Sequence, residues 1–144
     1  MNDQPTPAPQ SDPTRSGLGA DTLRQAVLDN LVCLEGRSPS VASARDWYMA
    51  LAYTVRDRML ERWTSTVQAF RAQEVKLVCY FSAEFLIGPQ LANNLVNLGI
   101  EAQARVAMQA MGQDLDAMIA RDDDGVHGAH RYGALGPNSR RATI

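Results

Sequence analysis

No stretch of the chain stays apolar for the roughly 18 residues that a membrane span needs, and the amino terminus is polar and proline-rich rather than a charged start followed by an apolar core. The expectation is a cytoplasmic protein with no membrane partner. Basic residues in excess are lacking too. The net charge is −2 and the pI about 5.6, whereas a surface for nucleic acid or anionic lipid needs clustered Lys and Arg. Cysteine is scarce: Cys33 and Cys79 both lie in apolar segments and read as buried, reduced thiols rather than a disulfide or a nucleophile. Strand-forming runs are scarcer still. Only Lys76 to Phe81 has that character, and a central strand with no second run of its quality lacks partners for its backbone groups.

What is present suits one small domain. Over 144 residues, 45% are hydrophobic and 21% charged, ordinary values for a chain that buries a core. Residues 1–20, with PTPAP, SDP and SGLG, have little to bury and read as a disordered leader. From Asp21 the pattern changes. Leu23, Val27, Leu31 and Leu34 recur at helical spacing, Asp21 is placed to cap the start, and Gly36 is placed to end the turn. Ser38-Pro39-Ser40 then favours a connection over continued helix.

The longest helix is expected from about Ala44 to Ala72. Ser43 followed three residues later by Asp46 resembles a capping box with aspartate in place of glutamate. Trp47, Leu51, Val55, Met59, Trp63, Val67 and Phe70 form its apolar stripe. Aromatic side chains at that spacing are most simply core, although a tryptophan can also stack on a sugar or a base. Arg56, Asp57, Arg58 and Glu61 read as a solvated face with neighbouring ion pairs.

After Gln73 the period breaks. The Lys76 to Phe81 run suits a strand buried on both faces, and a lone carboxylate, Glu84, follows it between apolar runs. Strand ends are where α/β proteins present groups to a ligand, so Glu84 is the candidate site residue; an N-cap or salt-bridge role is the plainer alternative. Gly88-Pro89 punctuates, with Pro89 tolerated in the first turn of a helix through Leu91, Leu95 and Leu98. Two shorter helices follow on either side of Gly112, with Ala102, Val106, Met108, Met111, Leu115, Met118 and Ile119 as their buried positions.

ARDWYMALAYTVRDRMLERW (Ala44 to Trp63) and, a strand's length later, YFSAEFLIGPQLANNLVNLGI (Tyr80 to Ile100) together resemble the N-terminal region of the glycogen and maltodextrin phosphorylases. The similarity runs from Leu23 to Asp124, only the opening part of that family. The resemblance implies a fragment that is mainly α, with one short strand near 77–82, belonging to a large α/β fold of the glycosyltransferase GT-B kind. It implies pyridoxal 5'-phosphate as the complete family's cofactor, and α-1,4-glucan and inorganic phosphate as substrates that give glucose 1-phosphate. It places Glu84, in the S-x-E-F motif, at the sugar end of the active site. A carboxylate there accepts hydrogen bonds from sugar hydroxyls or tunes a nearby charge.

Departures from the family are equally definite. Leu86 stands where some relatives carry a tyrosine that approaches the coenzyme. Pro89 stands where the family has arginine, removing a cation and a backbone donor together. Trp63 and Gln68 keep two places of the nucleotide patch of animal enzymes, but Ser65, Val67 and Arg71 fill others, so nucleotide activation is not expected. After Asp122 to Asp124 the family's glycine-rich G-L-G-N-G-G-L-G-R-L segment is replaced by GVHGAHRYGALGPNSRRATI. A shifted reading frame with early termination would produce that abrupt change, leaving 21–124 as the phosphorylase-like helical segment and 125–144 as an unmatched tail. His127 and His130 offer metal-ligand chemistry, but the glycine-rich tail has no framework to preorganise them, and no metal site is expected. The chain alone is therefore expected to be inactive and to bind no cofactor. The alternative is a noncatalytic helical module that associates with a full-length phosphorylase. In either case, apolar faces made for a larger core are expected to remain exposed, with self-association or aggregation as the consequence.

Overall fold

The computed structural model describes residues 13–73, 75–76, 78–81 and 90–120. Five helices are bounded within them: α1 (Pro13–Ser16), α2 (Ala20–Cys33), α3 (Ala44–Ala72), α4 (Gln90–Leu98) and α5 (Glu101–Ala110). Residues 115–120 form a further helical turn, α6. α2 lies between α3 and α5, α1 folds against α2 and α3, and α4 bridges α3 and α5.

The core is built from the expected periodic positions. Leu23, Val27 and Leu31 of α2 meet Trp47, Leu51 and Val55 of α3, and Leu91, Leu95 and Leu98 of α4 join the same cluster. At the start of α3 the Ser43 side chain accepts from the Asp46 N–H, while the Asp46 carboxylate accepts from the Ser43 N–H at 2.7 Å. The capping box is thus formed with aspartate in the third helical position. Gly36 and Gly112, at φ 63° and 72°, make the left-handed turns that end α2 and separate α5 from α6.

Asp21 is not the cap. α2 begins one residue before it, with Gly19 at the N-cap in extended conformation, so Asp21 sits in the first turn, where its charge complements the helix dipole. The leader expected over 1–20 is also structured from Pro13 onward, since α1 folds against α2 and α3. On α5, Val106 is exposed and Ala102 faces solvent, while Ala104 and Ala107 are buried. The stripe runs instead through Ala104, Ala107, Met108 and Met111, at spacings of three and four. Its alanines carry too little bulk to stand out by hydrophobicity, yet small side chains allow α5 to lie close to α2.

Two larger corrections concern what is left uncovered. The α3 stripe is buried only in its first half: Met59, Trp63 and Phe70 are 41%, 65% and 40% exposed. Length explains the division. α3 has 29 residues and spans about 44 Å at 1.5 Å per residue, against about 21 Å for the 14-residue α2 that covers it. The strand expected near 77–82 is not formed among the described residues of that stretch, 78–81. Val78, Tyr80 and Phe81 are 95%, 90% and 91% exposed. A β-rich run becomes a strand only when a neighbour supplies the ladder, and no second strand occurs among the described residues. The thiols follow the same logic: Cys33, at the outer end of α2, and Cys79, in the uncovered run, are both exposed rather than buried.

Candidate functional site

Glu84, with Ser82, Phe85, Leu86, Gly88 and Pro89, lies outside the described residues. The elements on either side are described. α3 ends at Ala72 with Gln73 as its C-cap, the Val75 N–H bonds back to the Phe70 carbonyl at 3.4 Å, and the chain returns to α3 through α4, which starts at Gln90. The described elements on either side of Glu84 both pack on or end at α3.

Arg62 fixes the far, C-terminal end of α4 to α3. Its guanidinium donates to the carbonyls of Asn97 (3.2 Å) and Leu98 (2.9 Å) at the C-terminus of α4. A helix leaves its last carbonyls without internal partners and carries partial negative charge there, so a guanidinium answers both needs. Leu91, Leu95 and Leu98 bury the opposite side of α4. Asn93 and Asn97, from the resembling motif, lie exposed on this helix and Asn94 is half-buried.

A second arginine escaped the sequence reading. Arg58, taken there for a solvated residue, is 1% exposed. It donates from Nε to the Gly17 carbonyl (2.9 Å) and through its terminal nitrogens to Thr54 (2.8 Å) and Thr14 (3.2 Å). Burial pulls its pKa down, partly opposed by Asp57 and Glu61. Asp57 in turn pairs with Arg15 of α1 at 2.6 Å. Nearby, the buried Asn30 donates to the Thr54 hydroxyl (3.0 Å), which donates to the Ala50 carbonyl (2.8 Å), tying α2 to α3. The hint available in the sequence was spacing: Thr54 and Arg58 continue the buried face of Trp47, Ala50 and Leu51 by steps of three and four.

Cavities lined by described residues include the following pair. One, of about 480 Å³, is lined by Arg105, Gln109, Gly112, Gln113, Asp114 and Leu115. Its Arg105 is engaged by Asp116 and Glu101; the Asp116 hydrogen bond raises the arginine's pKa, and the same bond lowers that of Asp116. The other, of about 130 Å³, lies where α1, α2 and α3 meet, lined by residues that include Asn30 and Asp57. Neither is lined by residues 75–81 or by Gln90. The nucleotide-patch positions Trp63, Ser65, Gln68 and Arg71 all lie on the exposed half of α3. His127 and His130 fall outside the described residues, and among the described ones no three metal-ligating side chains gather. No helix among them is long and apolar enough to cross a membrane.

Pyridoxal phosphate bonds to protein through a lysine amine. The sequence contains one lysine, Lys76, and it is exposed in the uncovered segment and lines neither cavity. The described residues do not fit the group.

These features define a helical module whose described residues are covered along the first half of α3 and open along the second, with Arg58 tying α3 to the chain entering α2 and Arg62 tying α3 to the end of α4. No family model matches the chain. It is 44% identical, over 82% of its length, to a glycogen phosphorylase of the cyanobacterium Synechocystis. It is 34% identical over 76% of its length to one from Haemophilus influenzae, and 38% identical over 67% to the bovine brain form. The chain spans 14%, 13% and 11% of those three proteins respectively. By these matches the chain belongs to the glycogen phosphorylase family, as a segment from its N-terminal region.

Proposed function

We propose that this chain is the part of an α-glucan phosphorylase that presents Glu84 to the sugar end of the active site. In the complete enzyme the reaction is phosphorolysis of glycogen or maltodextrin to glucose 1-phosphate, with pyridoxal phosphate held by another part of the protein. The chain's own share is structural and local. α3 and α4 flank the segment that carries Glu84, Arg62 ties the end of α4 to α3, and Glu84 supplies a hydrogen-bond acceptor for sugar hydroxyls. The observation that carries the reading is the paired match, in register, of Ala44 to Trp63 and Tyr80 to Ile100, within a region 44% identical to the Synechocystis protein. A cytoplasmic location accords with a soluble glucan substrate.

Alone, these residues have no lysine site for the coenzyme and form a scaffold rather than a catalyst. Purified chain given maltodextrin, phosphate and pyridoxal phosphate is expected to release no glucose 1-phosphate. Turnover above that of a Glu84→Gln control would overturn the reading. The second reading, a noncatalytic module that associates with a phosphorylase, is favoured by the exposed apolar face on α3.

A further inference from the structure

We propose that the outer face of the second half of α3 is a secondary binding site for a neutral glucan chain, with Trp63 and Phe70 as its stacking platforms. The choice of an α-1,4-glucan among neutral sugars rests on the family reading above. Trp63, Val67 and Phe70 follow spacings of four and three, so they share one side of the helix. Trp63 and Phe70 are exposed and Val67 is half-buried. The two aromatic positions are seven residues apart, about 10 Å along the axis at 1.5 Å per residue. An extended chain of sugar rings can meet both, whereas a single ring meets one. An aromatic ring with a wet face suits the apolar C–H face of a sugar.

What surrounds the rings selects a polyol. From Trp63 to Phe70 the helix carries no charged side chain, whereas the seven residues before it, Arg56 to Arg62, carry five. Thr64 and Thr66 flank the aromatic line, one on each side at about 100° per residue. Each hydroxyl donates to the helix backbone, at 2.9 Å from the Leu60 and Arg62 carbonyls respectively. With their protons so placed, they present only lone pairs outward. Sugar hydroxyls can donate to them; phosphate oxygens, which need donors, cannot. Arg62, the cation at the start of the run, is engaged by the Asn97 and Leu98 carbonyls, and Arg71 closes the run at its far end. A nucleotide would thus find a ring to stack on but acceptors where its phosphate needs donors. A second copy of the chain would cover the rings but set acceptors against acceptors.

The test is affinity electrophoresis of the full chain in native gels with and without glycogen. Beside it, maltoheptaose, glucose and adenosine monophosphate are titrated and read by acrylamide quenching of tryptophan fluorescence. The chain has two tryptophans and Trp47 is buried, so quenching reports Trp63. Glycogen is expected to retard the chain, and maltoheptaose to protect Trp63 saturably. Glucose is expected to protect about tenfold more weakly or less, and adenosine monophosphate not at all. Trp63→Ala is expected to abolish retardation, and Phe70→Ala and Thr66→Val to weaken it about threefold to tenfold, with the helical circular dichroism unchanged. Each of the following would overturn the proposal: no retardation, retardation unchanged in Trp63→Ala, glucose as effective as maltoheptaose, protection by adenosine monophosphate, or protection of Trp63 by self-association without glucan binding. Glu84→Gln is expected to be retarded as the wild type is. Retardation lost in Glu84→Gln but kept in Trp63→Ala would place the glucan at Glu84 instead, so failure of this site and failure of the Glu84 reading appear in different variants.

Discussion

The Arg58 side chain crosses from α3 to the chain entering α2, its Nε 2.9 Å from the Gly17 carbonyl oxygen. Because the guanidinium is buried, its carbonyl partners at Gly17, Thr14 and Thr54 have little access to water in its place. Arg58→Met keeps apolar bulk and removes every donor, and is expected to destabilise the chain by about 1–3 kcal/mol. Urea denaturation measures the loss. Hydrogen exchange should localise it to residues 13–19, with a smaller effect in Arg58→Lys, which keeps the charge but not the planar fork.

The two halves of α3 are expected to respond differently to truncation. Leu51→Ala removes a side chain that is 1% exposed and should cost about 2–5 kcal/mol. Trp63→Ala removes a larger one that is 65% exposed, and should change stability by only about 0.5 kcal/mol in either direction. Equal losses from the two substitutions would mean that the second half of α3 is covered in solution. Trp63→Ser is also expected to reduce light scattering of concentrated chain, because it interrupts the exposed apolar face.

The cap of α3 gives a pH dependence of definite sign. The Ser43 backbone N–H, then its hydroxyl, hold the Asp46 pKa below the ordinary 3.8. A depressed carboxylate pKa stabilises the folded state fully above the unfolded value, and that contribution fades as pH falls through the folded value. The thermal midpoint of wild type is therefore expected to approach that of Asp46→Asn as pH drops below about 4, while the two differ at neutral pH. A constant difference across the range would contradict the capping box.

Both thiols are exposed, so Cys33 and Cys79 are expected to react with a thiol reagent such as dithionitrobenzoate in the native chain, without a lag. Denaturant should add no further reactive thiol. Protection of Cys79 alone would indicate that the 75–81 segment is covered in solution.

The sequence pattern made the helices legible because each carries its own period and punctuation: Leu23 to Leu31, the Ser43 and Asp46 box, Gly36 and Gly112. It failed where burial depends on distant chain. Whether Met59 or Trp63 is covered depends on how far α2 and α4 reach, and that is a property of their lengths and placement. Arg58 was misjudged because a charged residue on a periodic face is ordinarily solvated; the backbone carbonyls of Thr14 and Gly17, some forty positions away, together with that of Thr54, make its burial tolerable. Lys76 to Phe81 has strand chemistry, but a strand is a property of two segments and its partner is not among the described residues. The family was legible because two long motifs keep their order and spacing. Glu84 was singled out by that resemblance and by its place between apolar runs, and it lies outside the described residues.

The most direct measurement is glucose 1-phosphate formation from maltodextrin and phosphate by the chain combined with pyridoxal phosphate and a Synechocystis enzyme from which the 118 residues matched by this chain have been removed. We expect turnover that requires both polypeptides and falls about tenfold to a hundredfold with Glu84→Gln, as loss of a charged hydrogen-bond acceptor at the sugar would produce. A reconstituted enzyme whose turnover is unchanged by Glu84→Gln would contradict the role assigned to this chain.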